Sequence, residues 1–509
     1  MMQTTTYLAI DVGTGSVRAA LVDANGAIVR LAAREHEQIV PRYGWAEQRP
    51  LDWWNGAVQA IREVLAAEPG AARHIAAICA CGQMHGTVLI DADGELTRNA
   101  APLWNDKRAT AQVETFRARY RATGDPHAYL PRTANPPTPA WPAFKLQWLR
   151  DHEPAAYERA ATVFMPKDYV NFRLTGERAC DWSDASMTFL MDPKTRGWSA
   201  AMLDELGLDG RKLPPIRAPH ELLGHVTRAA AAATGLREGT PVLVGAADYP
   251  ASVLGSGVCE PGLASDITGT SSIITVIADA PMLHPEVSNV ATCEGLWGRF
   301  TLLDSGGDAM RWARRAFHEN TLSYDAVARK AAEAPVGAEG LFFLPYLSGE
   351  RFGPHPNSRA QFFGIAARHG LGHLHRAVLE GVAFGVRRHM AMIQPAGVAI
   401  ERLVAASGGA KAALWLDIKA SMYRTPILVP AEVECGVIGC ALLAATAHGQ
   451  FASLGDAVRR FVRFEREVQP DPRAADVYDR MMPIFERLYV QSQSLYDELD
   501  ALAAAGDHA

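Results

Sequence analysis

At 509 residues the chain exceeds what a single hydrophobic core supports, and it is expected to divide into two or three domains. Its 48% hydrophobic and 21% charged content is that of an ordinary globular protein, and its net charge of −6 provides no long-range attraction for nucleic acid or anionic membrane. No run of eighteen apolar residues occurs, so a helical membrane protein is excluded and a small-molecule partner is favoured. The N-terminus lacks a charged segment followed by an apolar one, which gives a cytoplasmic location as the expectation. Seven scattered cysteines read as reduced thiols, and no Cys/His spacing suggests zinc.

In chain order, the apolar run Tyr7-Leu8-Ala9-Ile10 and the run from Val17 to Val22 read as two strands joined by a tight turn. Leu51, Trp54, Val58, Ile61, Val64 and Leu65 recur at three- and four-residue steps and predict an amphipathic helix. A buried strand over residues 74–81 follows, then the turn Gly82-Gln83-Met84-His85-Gly86, a strand over 87–90 and a turn at 91–94. The proline-rich stretch 131–142 is expected to be a loop over a cleft. A short strand at 241–245 marks the expected boundary between lobes 1–244 and 245–509. Strands at 403–407 and 425–430 alternate with helices from about 413 and at 436–447, and residues 474–505 form one or two closing helices. This alternation indicates an α/β architecture.

One turn is written twice. Asp11-Val12-Gly13-Thr14-Gly15-Ser16-Val17-Arg18 and Asp266-Ile267-Thr268-Gly269-Thr270-Ser271-Ser272 each place an acid, glycines and hydroxyls next to β-branched runs. Glycine lets backbone N–H groups approach phosphate oxygens, Thr and Ser add donors, and a strand-end carboxylate can hold magnesium through water. A single copy is compatible with a plain hairpin; two copies half a chain apart indicate a two-lobed phosphotransferase.

Other positions allow two readings each. Asp248, in Gly245-Ala246-Ala247-Asp248, suits a general base for a sugar hydroxyl, and equally an N-cap ahead of Tyr249-Pro250. Met84 and His85 read as core residues or as side chains presented to a cleft, Trp104 and Asp106 as sugar contacts or as a helix-entry aromatic and its cap. Arg18 is a phosphate ligand or a solvated strand residue. Gly307 and Arg311 open a helix whose start favours anions.

Taken together, these motifs, with Trp104-Asn105-Asp106-Lys107-Arg108, Met165-Pro166-Lys167-Asp168-Tyr169, Gly408-Gly409-Ala410-Lys411 and Gly439, resemble the FGGY family of carbohydrate kinases over essentially the whole chain. The resemblance implies a two-lobed actin-like (ribonuclease H-like) ATPase fold with mixed sheets, helices and a cleft between the lobes. It implies ATP and Mg2+ as cofactors and a small sugar or polyol as substrate, with no nucleic-acid or membrane partner; the oligomeric state is not readable, a homodimer being one option. Asp248 is implied as catalytic base and Asp11 as the magnesium-associated acid. Gly13, Thr14, Gly15, Ser16 and Arg18 are implied as the first phosphate loop, Gly269 and Thr270 as the second. Gly307 and Arg311 lie beside the nucleotide, and Gly409 and Ala410 lie against its purine. The Met84-His85 turn and the Trp104 motif are similar to the xylulokinase branch, implying D-xylulose, whereas Tyr249-Pro250 and the 136–141 loop depart from it and favour ribulose, another polyol or a sugar acid. A nucleotide-switched actin-like scaffold is the alternative from another class.

Overall fold

The computed structural model describes residues 5–351, 355–394 and 400–506. Two sheets organise the chain on one plan. In the first, strands Thr6–Val12 and Ser16–Asp23 form an antiparallel hairpin that sets Asp11 opposite Arg18, and Ile28–Glu35 continues the meander. On the other side Ile75–Gly82 runs parallel to Thr6–Val12, placing Cys81 beside Asp11. The parallel pairing needs a crossover, which the helix Pro50–Ala67 supplies. Pro50 stands in its first turn, and Trp53, Trp54, Ala57, Ala60, Ile61 and Val64 form its buried face. The predicted stripe is rotated slightly from this one, because Leu51 is exposed and Trp53 takes its place in the core.

The second sheet repeats the order. Leu263–Thr268 and Ser272–Ala278 make the hairpin, Trp297–Leu303 lies beside it, and Arg402–Ala406 runs parallel to Leu263–Thr268. Ile427–Pro430 and Phe464–Val468 extend it. Each central strand is buried on both faces, which is why Tyr7 to Ile10 reads as continuous apolar sequence rather than alternation. The twin Asp-to-Gly-Thr segments therefore occupy equivalent places, at the ends of the two central hairpins.

The chain divides into two compact units, but not at residue 244. One comprises Met1–Cys259, Asp279–Gly298 and Glu434–Arg463, the other Glu260–Ala278, Arg299–Val433 and Phe464–Ala509. Asp248 belongs to the first unit because Ala246 and Ala247 pair with Cys81 and Gly82 in the first sheet. The helix it opens, Asp248–Gly255, packs on the helix Cys435–Ala447 of the same unit. A Cβ on Gly439 would stand 2.0 Å from the Ala251 carbonyl oxygen, so only glycine allows this approach.

Residues 131–142 also differ from expectation. Leu130–Thr133 is a helical turn, residues 133–137 are buried, and Pro142 occupies the first turn of the helix Pro142–His152, where its missing N–H costs nothing. The Trp141 indole N–H donates to the Pro136 carbonyl at 2.7 Å, so this is a packed segment rather than an open loop over a cleft. The closing segment is one helix, Pro472–Gly506. The seven cysteines are thiols, none of them in a disulfide, and among the described residues no helix is long and apolar enough to cross a membrane.

Candidate active site

In the first unit, the hairpin brings Arg18 to Asp11. Asp11 Oδ2 accepts from Arg18 Nη1 at 3.0 Å, and Oδ1 lies 3.6 Å from the Cys81 thiol. Arg18 Nε also approaches Glu434 Oε2 at 3.7 Å, so its guanidinium is ion-paired rather than a solvated strand residue. Burial raises the Asp11 pKa, and the Arg18 charge opposes that rise. The turn closes through Gly13 N–H donating to the Ser16 carbonyl at 3.0 Å, while the position a Gly15 side chain would fill is open space.

Asp248 is the first residue of its helix; the capping position is Ala247, and Asp248 Oδ1 accepts from the Tyr249 N–H at 2.7 Å. The N-cap alternative therefore does not describe it. Burial first, and the Asp11 charge second, push its pKa up to about 7. A carboxyl near that value divides between acid and base at neutrality, the balance best suited to accepting a proton.

Met84 and His85 sit in the turn after the Ile75–Gly82 strand. Met84 is buried, and His85 has a left-handed backbone at φ 66°, uncommon for a residue with a side chain. Its Nδ1 lies 3.1 Å from the Met187 carbonyl, which can only accept, so Nδ1 carries the proton and Nε2 is left as an acceptor. Burial, helped by the Lys145 charge, takes the ring's pKa down to about 3, and it is neutral at physiological pH. The imidazole meets Trp141 edge-on at 4.9 Å.

A hydrogen-bonded chain joins this turn to the turn at residues 13–16. Trp104, 39% exposed, donates from Nε1 to Thr14 Oγ1 at 3.1 Å, and that hydroxyl donates to Gln83 Oε1 at 3.1 Å. Gln83 Nε2 donates to Gln48 Oε1 at 2.8 Å, and Gln48 Nε2 returns to the Thr14 carbonyl at 2.6 Å. Gln83 lies inside the motif at residues 82–86, whereas Gln48 carries no local sequence signal.

Asp106 is turned inward, against Ala46 and Arg108. Its two oxygens accept from Ala46 N at 2.7 Å and from Arg108 N, Nε and Nη2 at 2.9, 2.9 and 2.8 Å, with Asp106 itself 1% exposed. Arg108 lies over the Trp45 ring at 4.0 Å. The expected sugar contact is thus a buried strut, because a carboxylate with every lone pair taken has none for a ligand.

In the second unit Gly307 and Gly409 converge on the Gly269-Thr270 turn. Gly307 N–H donates to the Gly269 carbonyl and Asp308 N–H to the Thr270 carbonyl, each at 3.0 Å. A Cβ on Gly307 would be 2.2 Å from Gly269 O, and one on Gly409 would be 2.6 Å from Thr268 Cβ. Gly409 and Ala410 lie in the 3-10 turn Gly408–Lys411 after the Arg402–Ala406 strand. The helix Gly307–His318 thus starts at the Gly269-Thr270 turn, with Arg311 exposed and paired to Asp308 at 3.1 Å.

Duplicated sheets with paired glycine turns and a strand-end acid define a phosphotransferase on the actin-like ATPase fold. Residues 6–255 match the N-terminal domain and residues 264–448 the C-terminal domain of the FGGY family of carbohydrate kinases. The chain is 30% identical over 493 residues to a xylulose kinase of Bacillus subtilis, covering 96% of this chain and 97% of that one. It is 31% identical over 512 residues to an autoinducer-2 kinase of Klebsiella pneumoniae, covering 96% and 94%. The crystal structure of a xylulose kinase from Rhodospirillum rubrum superposes with a TM-score of 0.90 at 32% identity, covering 97% of this chain and all of that one. The chain belongs to the FGGY family of carbohydrate kinases. It is a sugar kinase, which sets aside the nucleotide-switched scaffold.

Proposed function

We propose that the enzyme transfers the γ-phosphoryl group of ATP to a hydroxyl of a small ketose, D-xylulose foremost. The observation that carries this reading is the Met84-His85 turn, whose neutral imidazole offers Nε2 as an acceptor beside a half-exposed indole tied to the phosphate turn. His85 Nε2 accepts from a sugar hydroxyl, Trp104 stacks on the sugar's apolar face, and Met84 supplies an apolar floor. Asp248 takes the proton from the attacking hydroxyl as the new O–P bond forms and the bond to ADP breaks. In the first unit the backbone N–H groups of Thr14 and Gly15 receive phosphate oxygens, the Gly13 N–H being held by the Ser16 carbonyl; in the second unit Thr270 is suited to phosphate, and Gly409 and Ala410 leave room for the purine.

Magnesium fits this arrangement. Among the described residues no group of three or more His, Cys, Asp or Glu is arranged to hold a metal ion, so the ion would come with the triphosphate and use Asp11, directly or through water, as magnesium commonly does. The charge of Asp11 raises the Asp248 pKa, a repulsion that a cation bound there would relieve. When bound, the ion neutralises phosphate charge; Arg18 holds Asp11 in place.

A second reading, favoured by Tyr249-Pro250 after the base and by the autoinducer-2 kinase relative, is a sibling kinase for ribulose, another polyol or a sugar acid. Coupled detection of ADP across a panel of ketoses, polyols and sugar acids tests both. A kcat/KM for D-xylulose at least about tenfold above every other acceptor supports the first, a gap of about 1.4 kcal/mol in transition-state binding. Preference for another acceptor replaces it with the second.

A further inference from the structure

The two segments that carry the proposed sugar contacts meet on one side chain. Lys145, near the start of the helix Pro142–His152, is 0% exposed, and its Nζ donates to the His85 carbonyl at 2.8 Å and to the Leu103 carbonyl at 2.5 Å. Neither partner is a carboxylate, and burial brings the lysine's pKa down to about 7. Burying an amine this way is unfavourable unless its hydrogen bonds do something an apolar side chain could not. Here they restrain His85, whose left-handed backbone persists only where its surroundings over-determine it, and Leu103, which precedes Trp104. The far ends of both segments are tied as well: the His85 ring to Met187, and the Trp104 indole to Thr14.

We infer that Lys145 is a positioning residue for sugar recognition: its buried amine fixes the His85 imidazole and the Trp104 indole relative to one another, and so sets which acceptor is phosphorylated without taking part in nucleotide binding. This rests on the reading of His85 and Trp104 as sugar contacts. It places specificity partly in a residue that touches no substrate. Removing the amine leaves two carbonyls to find new partners, and the turn at His85 relaxes toward an ordinary backbone.

The test uses the full chain, with kcat and KM measured for ATP, for the best acceptor of the panel and for its nearest epimer. Lys145→Met is expected to raise the acceptor KM about tenfold or more and to cut the kcat/KM ratio between acceptor and epimer by a similar factor, with the ATP KM held within about threefold. In a His85→Ala background the same substitution should cost much less than in the wild type, because the effect runs through the imidazole. Should Lys145→Met fail to fold, Lys145→Gln, whose side chain is one atom shorter and so withdraws its donor from the His85 and Leu103 carbonyls, carries the same measurements. A well-folded Lys145 variant with unchanged acceptor KM and unchanged epimer ratio overturns the inference, as does an equal loss toward acceptor and ATP. If His85→Ala itself leaves acceptor kinetics untouched, the underlying reading of the turn fails; if His85→Ala matters and Lys145→Met does not, only the positioning role fails.

Discussion

Lys419 Nζ lies 2.7 Å from Asp266 Oδ2, with both side chains buried, and it also donates to Thr268 Oγ1 at 2.8 Å. Asp266 leads the second Gly-Thr turn as Asp11 leads the first, but it stands two residues from the end of its strand where Asp11 stands one, an offset that puts it on the other face of its strand, while Asp11 meets the partly exposed Arg18. The two acids are therefore not equivalent in register. One copy remains beside an open turn, where an ion can use it, and the other cross-links its strand to the helix Ala413–Tyr423.

Lys419→Met should be strongly destabilising, by about 3–5 kcal/mol, because it strands a buried carboxylate. Adding Asp266→Asn should recover a substantial part of the loss. Thermal unfolding of the two variants checks this; a Tm near the wild-type value for Lys419→Met would show that the pair contributes nothing.

Asp248→Asn should keep the fold and nucleotide binding yet lose sugar phosphorylation by roughly 10²-fold or more, since proton acceptance and hydroxyl placement fail together. Steady-state kinetics beside a nucleotide-binding titration measure it. Near-native turnover would remove Asp248 from the base role.

The pH dependence has a definite sign. The base works when ionised, so kcat/KM for the acceptor should rise with pH up to about 7, where Asp248 titrates, and level off above. Stability runs the other way: a folded pKa raised above the unfolded carboxylate's makes the native state hold its proton more tightly. The wild type should thus lose stability relative to Asp248→Asn as pH climbs from the ordinary carboxylate range to about 7, with no further change above. Tm differences between the two proteins at pH 5 and pH 8 test it; a larger advantage for the variant at pH 5 contradicts the assignment.

Asp11→Asn removes the charge that helps raise the Asp248 pKa, so at magnesium concentrations too low to screen that charge the acidic limb of the rate profile should move to lower pH. The magnesium concentration giving half-maximal rate should rise in the same variant. Magnesium titrations at several pH values read both effects, and an unmoved acidic limb would mean that the two carboxylates are not coupled.

The strands, the amphipathic helix and both glycine turns follow from local signals. Apolar runs such as Tyr7 to Ile10 end in glycine and hydroxyl residues, and strand and turn preferences act over a few residues, so the sequence alone determined where these elements lie and that the turn occurs twice. Contacts between distant segments decided the rest. Asp248 joins the first unit because Ala246 and Ala247 pair with Cys81 and Gly82, and no propensity near residue 248 records that pairing. Asp106 is legible as an acid in a promising motif, but the Ala46 N–H and the Arg108 guanidinium turn it inward. The tautomer of His85 is set by the Met187 carbonyl, and the role of Asp266 by a lysine on a remote helix. Lys145 carries no local signal in the sequence, and only the fold buries it against two carbonyls. Periodicity records which face of an element is apolar; whether a polar side chain on it meets solvent, a ligand or a buried partner depends on what other segments bring to it, and only the tertiary structure specifies that.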